Sequence, residues 1–481
     1  GRSRCLDAFI VALNQACDGP TKRWYASTLE LQLGSLGFCG ACRSVQTLHV
    51  RVHRQTPPSL WIPRESHTTP NKRHRGVFVS SRVPTVPAFG LTWALPMEAL
   101  IESYTMGLWS ESECKQLAGP SSAASLGCMV WPQKLKRLVF DLDMPMNRAS
   151  WPAFLRQLSF GNLFTQSIVG VIWPAFLQQL SFGDNFDQPI VGVVWPVSLK
   201  QLSFGAKFNQ PIARVGWPNS LQQLSFGMEF NQLIVGVVWP TSLQQLSFSM
   251  EFNQPIVGAV WPASLQRLSF GFHFDQPIIG VVWPASLQRL SFGYEFNQPV
   301  IGVVWPASLQ QLSFGAIFNQ PIVGVVWSAS LQQLFFGYCF NQPIVGVVWP
   351  ASLQQLRFGL IFNQPIVGIV WPASLQQLSF RSDFNQPIVG VVWPASLQRL
   401  SLGCYFNQPI VGVVWPTSLQ QLSFGDNFDQ PIVEIVWPVS LKQLAFGAKF
   451  NQPIAKVVWP AFLRKLSFRT ELFLGIANFN Q

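Results

Sequence analysis

Apolar and polar residues alternate in a pattern that repeats every 22 residues over most of the chain. One copy, residues 283–304, has the sequence WPASLQRLSFGYEFNQPVIGVV. Fifteen tryptophans, from Trp151 to Trp459, open successive copies at this spacing, and Trp131 opens a degenerate copy 20 residues earlier. A fixed period of this length is typical of a solenoid, in which each repeat forms one coil of a stack.

The spacing of apolar residues predicts one short strand in each copy. In the copy that begins at Trp195, Leu202 and Phe204 alternate with Gln201 and Ser203. This is the period of a strand with one apolar face. The Asn-Gln-Pro sequence that follows predicts a turn, because Pro has no backbone N–H to donate. Stacked copies would place their strands side by side in one parallel sheet.

A recurrent Asn in this turn predicts side-chain bonding between coils. Asn side chains stacked at one level can form hydrogen bonds along the axis of the stack. Asp replaces this Asn at Asp187, Asp275 and Asp429. We expect Asp to weaken the ladder, because a carboxylate cannot donate a hydrogen bond.

The repeat divides the chain into four regions. Residues 1–126 lack it and are predicted to be largely disordered or irregular. Residues 127–150 hold the degenerate first repeat, which we interpret as an N-terminal cap, since a solenoid needs an atypical end coil. Residues 151–468 form the solenoid, and residues 469–481 form a truncated C-terminal end.

The composition agrees with a stack of apolar coils. Charged residues make up 11% and hydrophobic residues 48%, and the 40 Phe and 20 Trp argue against a disordered chain. Eight cysteines are few for a disulfide scaffold of this length, which favours a reducing, cytoplasmic location. No apolar run approaches the roughly 18–20 residues of a membrane helix, so no membrane partner is predicted.

The net charge of +11 is not concentrated at one position of the repeat. Basic residues of the array occupy several repeat positions, which argues against a basic face and predicts no nucleic-acid partner. Residues 72–75, KRHR, form a basic run outside the array. Such a run fits either a solvated loop or a localisation signal.

One group of residues has the chemistry of a metal site. Cys39, Cys42, His49 and His53 are the ligand types that zinc prefers. The six residues between the second Cys and the first His are half of the roughly twelve that a zinc finger uses, so we favour a coincidence. We predict no metal, no cofactor and no catalytic residues.

Two motifs of the array match a known family. The strand motif is Leu-x-x-Leu-x-Phe-Gly, as in residues 265–271, and the turn signature is Phe-Asn-x-Pro-Ile, as in residues 252–256. With these motifs, residues 151–468 resemble the FNIP repeat, a family related in pattern to leucine-rich repeats. The chain departs from the family in its Trp before the corner Pro, where Leu is usual, and at Ser167 and Leu233, which replace the signature Pro.

This resemblance implies an interaction role and no catalytic residues. The predicted fold is therefore a β-rich, leucine-rich-repeat-like solenoid. It has about 15 coils of 22 residues with a parallel sheet on one face, preceded by a poorly ordered N-terminal region.

The two residues before the signature Phe vary freely between copies. A close-packed interior cannot accept Lys, Glu and Ile at one position, so these pairs are predicted to be exposed. Varied side chains on a uniform frame could form a binding surface for a protein partner. The candidate partner-binding residues are Lys207, Glu229, Glu251, Phe272, His273, Tyr294, Glu295, Tyr338, Asp383 and Tyr405.

Drift of exposed positions is the alternative explanation. Residues 183–218 nearly recur at 425–460, variable pairs included, which indicates block duplication. We predict a non-enzymatic scaffold for protein–protein interaction. The alternatives are the repeat appendage of a multidomain signalling or adaptor protein, whose catalytic or F-box-like part is missing, and a structural protein that associates end to end through an open sheet edge.

Overall fold

The protein is a solenoid whose strands form one sheet. The computed structural model describes residues 26–32, 47–54, 131, 134–141, 143–146 and 149–469. Within these residues the strands are β1 Ala26–Gln32, β2 Thr47–Arg54, β3 Arg137–Asp141, β4 Gln157–Phe160, β5 Gln179–Ser181, β6 Gln201–Ser203, β7 Gln223–Ser225, β8 Gln245–Ser247, β9 Arg267–Ser269, β10 Arg289–Ser291, β11 Gln311–Ser313, β12 Gln333–Phe335, β13 Gln355–Arg357, β14 Gln377–Ser379, β15 Arg399–Ser401, β16 Gln421–Ser423, β17 Gln443–Phe446 and β18 Lys465–Phe468.

Strands β3 to β18 are parallel and pair in sequence order, one strand for each coil. Leu290 lies opposite Leu268 on one side and Leu312 on the other, so the register never shifts by a residue. This confirms the solenoid with a parallel sheet on one face. The register is fixed because a shift of one residue would turn the buried leucines towards solvent.

The sheet continues beyond the degenerate first repeat. Strand β2 pairs in parallel with β3, and β1 pairs antiparallel with β2. The strand of residues 127–150 is therefore paired on both sides. Such pairing is favourable because an uncovered strand offers a row of unpaired backbone groups. The interpretation of this coil as an N-terminal cap stays a prediction. The rest of the predicted irregular region 1–126 lies outside the described residues.

Each coil buries its apolar residues in one continuous core. In the copy 283–304, the strand residues Leu290 and Phe292 are buried, and so are Leu287 before the strand and Phe296 after it. The neighbouring coils repeat this arrangement, and all belong to one hydrophobic cluster. The alternation seen in the sequence therefore separates the core from the outside, as predicted.

The back of the coil, opposite the sheet, is closed by a tight turn. The backbone N–H of Val303 donates to the carbonyl of Val300 at 3.3 Å, and Gly302 between them has a φ of +87°. Glycine at the third position of a turn with positive φ is typical of a type II turn. Val304 follows with 81% of its surface exposed. β-Branched residues suit the extended backbone of this segment.

Tryptophans form a stacked column behind the core. The rings of Trp195 and Trp217 are 6.3 Å apart and 11° from parallel. The indole N–H groups of the tryptophans from Trp151 to Trp437 are buried with no acceptor within hydrogen-bond distance among the described residues. These tryptophans therefore stabilise the stack by ring area and not by hydrogen bonding.

The spacing of the coils shows that the stack bends. Paired strands lie about 4.8 Å apart. The rings of Phe204 and Phe226, at the ends of two neighbouring strands, are 5.7 Å apart. Trp195 and Trp217, further from the sheet, are 6.3 Å apart. The coils are closer together at the sheet than behind it, so the sheet lies on the inside of the bend and forms a concave face.

Side-chain ladders join the coils on both flanks of the sheet. Ser286 Oγ donates to the carbonyl of Leu265 in the preceding coil at 2.7 Å. On the other flank, Asn297 Oδ1 accepts hydrogen bonds from the backbone N–H of Asn319, at 2.9 Å, and from Gln320 Nε2, at 3.2 Å. Each ladder bond crosses a coil boundary and therefore stabilises the stack and not the single coil.

The expectation that Asp weakens this ladder was wrong. Asp275 Oδ1 accepts from the N–H of Asn297 and from Gln298 Nε2, both at 2.9 Å. The ladder position acts as an acceptor towards the next coil, and a carboxylate fills that role. At Asp429, the donated bonds from Asn451 and Gln452 lower the pKa of the carboxyl group.

A substitution in the tryptophan column tests the role of ring area. We expect Trp283→Ala to lower the free energy of unfolding by about 3–5 kcal/mol, because it leaves a cavity between two coils. Trp283→Phe should cost less than half as much, since it keeps a ring and removes a buried unpaired N–H. Urea unfolding followed by fluorescence and circular dichroism measures both. Equal losses would contradict this role.

A second prediction concerns the back turn. Glu434 occupies the glycine position of this turn and, among the described residues, is the non-glycine residue with a positive φ, 73°. The left-handed conformation costs an L-residue about 1–2 kcal/mol, partly offset by the entropy that glycine loses on folding. We expect Glu434→Gly to raise the free energy of unfolding by roughly 0.5–1 kcal/mol. Glu434→Ala, which keeps the strain, is the control and should give no gain.

Candidate functional site

The variable pairs lie in a turn where each strand ends, and we call them the exit pairs. In the copy 283–304, the N–H of Phe296 donates to the carbonyl of Gly293 at 3.3 Å. Tyr294 and Glu295 are the two central residues of this turn. The N–H of Glu295 also donates to the carbonyl of Phe272 in the preceding coil at 2.8 Å. The backbone frame is therefore rigid, and only the side chains differ from coil to coil.

The candidate residues reach the surface at these turns. Half-buried members are His273, Glu295 and Asp383. The remaining candidates are exposed: Lys207, Glu229, Glu251, Phe272, Tyr294, Tyr338 and Tyr405. Ala316, an exit-pair residue outside the candidate set, is the exception, with 9% of its surface exposed. A small apolar residue fits this position without reaching solvent.

Four consecutive coils bring apolar exit residues into one exposed row. Met228, Met250, Phe272 and Tyr294 expose between 39% and 47% of their surface. The rings of Phe272 and Tyr294 stack 4.5 Å apart at an angle of 5°. Aromatic residues and methionines are enriched at protein interfaces relative to the rest of a protein surface. We call these four residues the apolar row.

Charged residues line the apolar row on one side. His273 Nδ1 is 2.9 Å from Glu295 Oε2, and His273 Nε2 is 3.6 Å from Glu251 Oε1. The hydrogen bond to Glu295 raises the pKa of His273 above its usual value, burial opposes this effect, and the charges of Glu295 and Glu251 add to it. The site therefore carries the negative charge of Glu251 and Glu295, and these carboxylates stabilise the protonated form of His273.

Four candidates lie apart from this cluster. Tyr338, Asp383 and Tyr405 are two, four and five coils beyond Tyr294. The guanidinium of Arg381 lies over the Tyr338 ring at 5.8 Å. Lys207 precedes the coil of Phe272 by three coils. The structure thus gathers five of the ten candidates into one cluster, namely Glu251, Phe272, His273, Tyr294 and Glu295. The tenth, Glu229, lies beside the apolar row in the coil of Met228.

The concave face is a second surface of the described chain. Its outward residues flank the central leucine of each strand, as Gln311 and Ser313 flank Leu312. Two grooves follow these columns, of about 400 Å³ along the N-terminal strands and about 280 Å³ along the C-terminal strands. Gln and Ser dominate the lining of both. In the second groove, Arg357 lies over the Phe335 ring at 5.5 Å.

The described residues show no cluster of three or more His, Cys, Asp or Glu that could hold a metal ion. Of the zinc-like group in the sequence, Cys39 and Cys42 lie outside the described residues, while His49 and His53 belong to β2. The basic run 72–75 also lies outside them. In the part of the chain that is described, no helix is long and apolar enough to cross a membrane.

A protein of known structure is similar to most of the array. CroV588, described as a novel circular leucine-rich-repeat protein, matches with 42% identity and a TM-score of 0.64. The match covers 70% of this chain and 54% of CroV588, so this chain spans about half the length of that protein. The Toll–Spatzle complex of Drosophila matches with 12% identity and a TM-score of 0.47, covering 66% of this chain and 51% of that chain.

The sequence comparisons agree with the repeat seen in the structure. No curated protein sequence gave a significant match. The model of the FNIP repeat matches seven times, at residues 164–207, 186–229, 230–273, 274–316, 318–360, 362–405 and 406–449. Both motifs that suggested this family lie in the matched residues, and the coils stack as in leucine-rich-repeat proteins. The chain therefore belongs to the FNIP repeat family.

Proposed function

We propose that the chain is a non-enzymatic scaffold that binds a protein partner through its exit pairs. Solenoids of this kind are commonly interaction scaffolds and typically have no catalytic site. The observation that carries the proposal is the apolar row, in which Met228, Met250, Phe272 and Tyr294 are exposed side by side on a rigid backbone. Large apolar side chains at the centre of a polar surface are typical binding hot spots.

The residues around the row indicate the chemistry of the partner. Glu229, Glu251 and Glu295 are exit residues of the same coils, next to the apolar row. A partner that covers the row would match it with an apolar side chain and at least one Lys or Arg near the carboxylates. Charge pairs at the rim of an interface mainly set the rate of association and the orientation of the partner.

Substitution of the aromatic exit residues tests this proposal. We expect Phe272→Ala/Tyr294→Ala to reduce capture of the bound protein by at least about tenfold, because aromatic hot spots each contribute 2 kcal/mol or more. The measurement is affinity capture from a lysate with the full chain as bait, quantified by mass spectrometry.

Exposed valines on the back of the same coils provide the matched control. Val282 and Val304 are each 81% exposed, so Val282→Ala/Val304→Ala removes apolar surface without touching the exit pairs. Its captured proteins should be those of the unchanged chain. Equal capture by the aromatic variant and the control would reject the exit pairs as the binding surface.

The histidine in the cluster predicts a pH dependence of the surface charge. The pKa of His273 is raised in the folded chain, so the folded protein keeps this proton to a higher pH than the unfolded chain does. The protonated histidine therefore stabilises the fold at low pH, and this stabilisation is lost as the pH rises through the folded pKa. We expect an NMR titration to give His273 a pKa above 6.5. Glu295→Gln should lower this pKa more than Glu251→Gln does, because the closer carboxylate accepts the hydrogen bond. Equal effects of the two substitutions would contradict the geometry.

A further inference from the structure

Basic residues recur on the concave face of the array at the two positions that flank the central leucine of each strand. The basic residues at these positions between 151 and 469 are Arg267, Arg289, Arg357, Arg399 and Lys465. Arg357 and Arg399 also line the C-terminal groove. The array's basic residues still occupy several repeat positions, but these five share one face in the folded chain because alternate residues of a strand point to the same side.

No acidic residue occupies these two positions over residues 151–469. The acids of this range lie in the exit pairs, in the Asn ladder or on the back turn, as Glu251, Asp275 and Glu434 do. The acid of the neighbouring strand β3 is Asp141, at its end. The concave face therefore has a positive potential, and negatively charged ligands would be attracted to it.

The lining of the face offers hydrogen bonds at regular intervals. Gln and Ser flank the central leucine in most coils, and successive coils lie about 4.8 Å apart along the axis. Both residue types donate and accept hydrogen bonds, so they can pair with the amides of an extended backbone. The grooves along these columns are open and continuous over several strands.

We propose that the concave face binds an extended acidic polypeptide that lies along the axis of the solenoid. The four central arginines are Arg267, Arg289, Arg357 and Arg399, all exposed. Arg357 is three coils beyond Arg289, and Arg399 is two coils further, which corresponds to about 14 Å and 10 Å at the sheet spacing. An extended chain covers about 3.3 Å per residue. Acidic residues three to four positions apart in the ligand would meet these arginines.

A nucleic acid fits this face less well. Single-stranded nucleic acid is bound by aromatic side chains on which bases stack. Phe335 is the aromatic residue among the leucine-flanking positions of β4 to β18, and Arg357 already lies over its ring. One phosphate occurs about every 3.4 Å along a strand of duplex DNA, whereas the central arginines are two to three coils apart for the most part. A sparse row of charges matches a polypeptide better.

The test uses the full chain and a fluorescein-labelled twelve-residue peptide with Glu at every third position. Binding is measured by fluorescence anisotropy at low salt, beside the same peptide with Gln in place of Glu. The variant Arg267→Gln/Arg289→Gln/Arg357→Ser/Arg399→Gln installs the residue that most other coils carry at each position. Its thermal melting should therefore match that of the unchanged chain.

We expect the quadruple variant to bind the Glu peptide at least about tenfold more weakly, because four charge-assisted contacts are removed. Arg214→Gln/Lys456→Gln removes positive charge from the back turn and should leave the affinity within about twofold. Phe272→Ala/Tyr294→Ala should also leave it unchanged, which separates this proposal from the function of the exit pairs.

Three results would overturn the proposal. The first is equal affinity of the quadruple variant and the unchanged chain, and the second is equal affinity of the Gln and Glu peptides. The third is tighter binding of a 20-nucleotide oligo-dT that the same four substitutions abolish, since the face would then be a nucleic-acid site.

Discussion

Stacking of each coil on its neighbours is the interaction on which the rest of this structure depends. The strand of one coil finds its hydrogen-bond partners in the two adjacent coils, and the Ser and Asn ladders also cross a coil boundary. The phenylalanine and tryptophan rings are covered by the rings of the next coil. A single coil would leave these groups in water, so it has no stable fold of its own.

This dependence on the neighbour explains which positions tolerate variation. A buried residue packs against the equivalent residue of the next coil, so the two must be complementary in size and shape. The buried Leu, Phe and Trp columns therefore remain nearly uniform. Glu434 shows the cost of a misfit, since it holds a left-handed backbone that eleven other coils assign to glycine. The exit pairs contact the neighbouring coil through backbone hydrogen bonds, such as that from Glu295 N–H to the carbonyl of Phe272. Their side chains are free to differ, and this freedom makes them suited to recognition.

The same geometry produces two surfaces with opposite chemistry. The exit turns place carboxylates and apolar rings such as Phe272 and Tyr294 along one border of the sheet. The strands present Gln, Ser and arginines on the concave side. Both surfaces are built from rows of side chains that run along the axis. A ligand on either surface would therefore contact several coils and not a single pocket.

The sequence alone determined the repeat, the parallel sheet, the buried columns and the exposure of the exit pairs. A period of 22 with alternating Leu and Phe leaves a solenoid as the arrangement that buries every copy. The sequence could not determine which side chains of different coils come into contact. The contact of His273 with two carboxylates, the Asn ladder as a row of acceptors, and the pairing of β2 with β3 depend on distances across coils. The row of arginines on the concave face was hidden for the same reason, since Arg289 and Arg357 occupy different repeat positions and share one face only once the strands have formed.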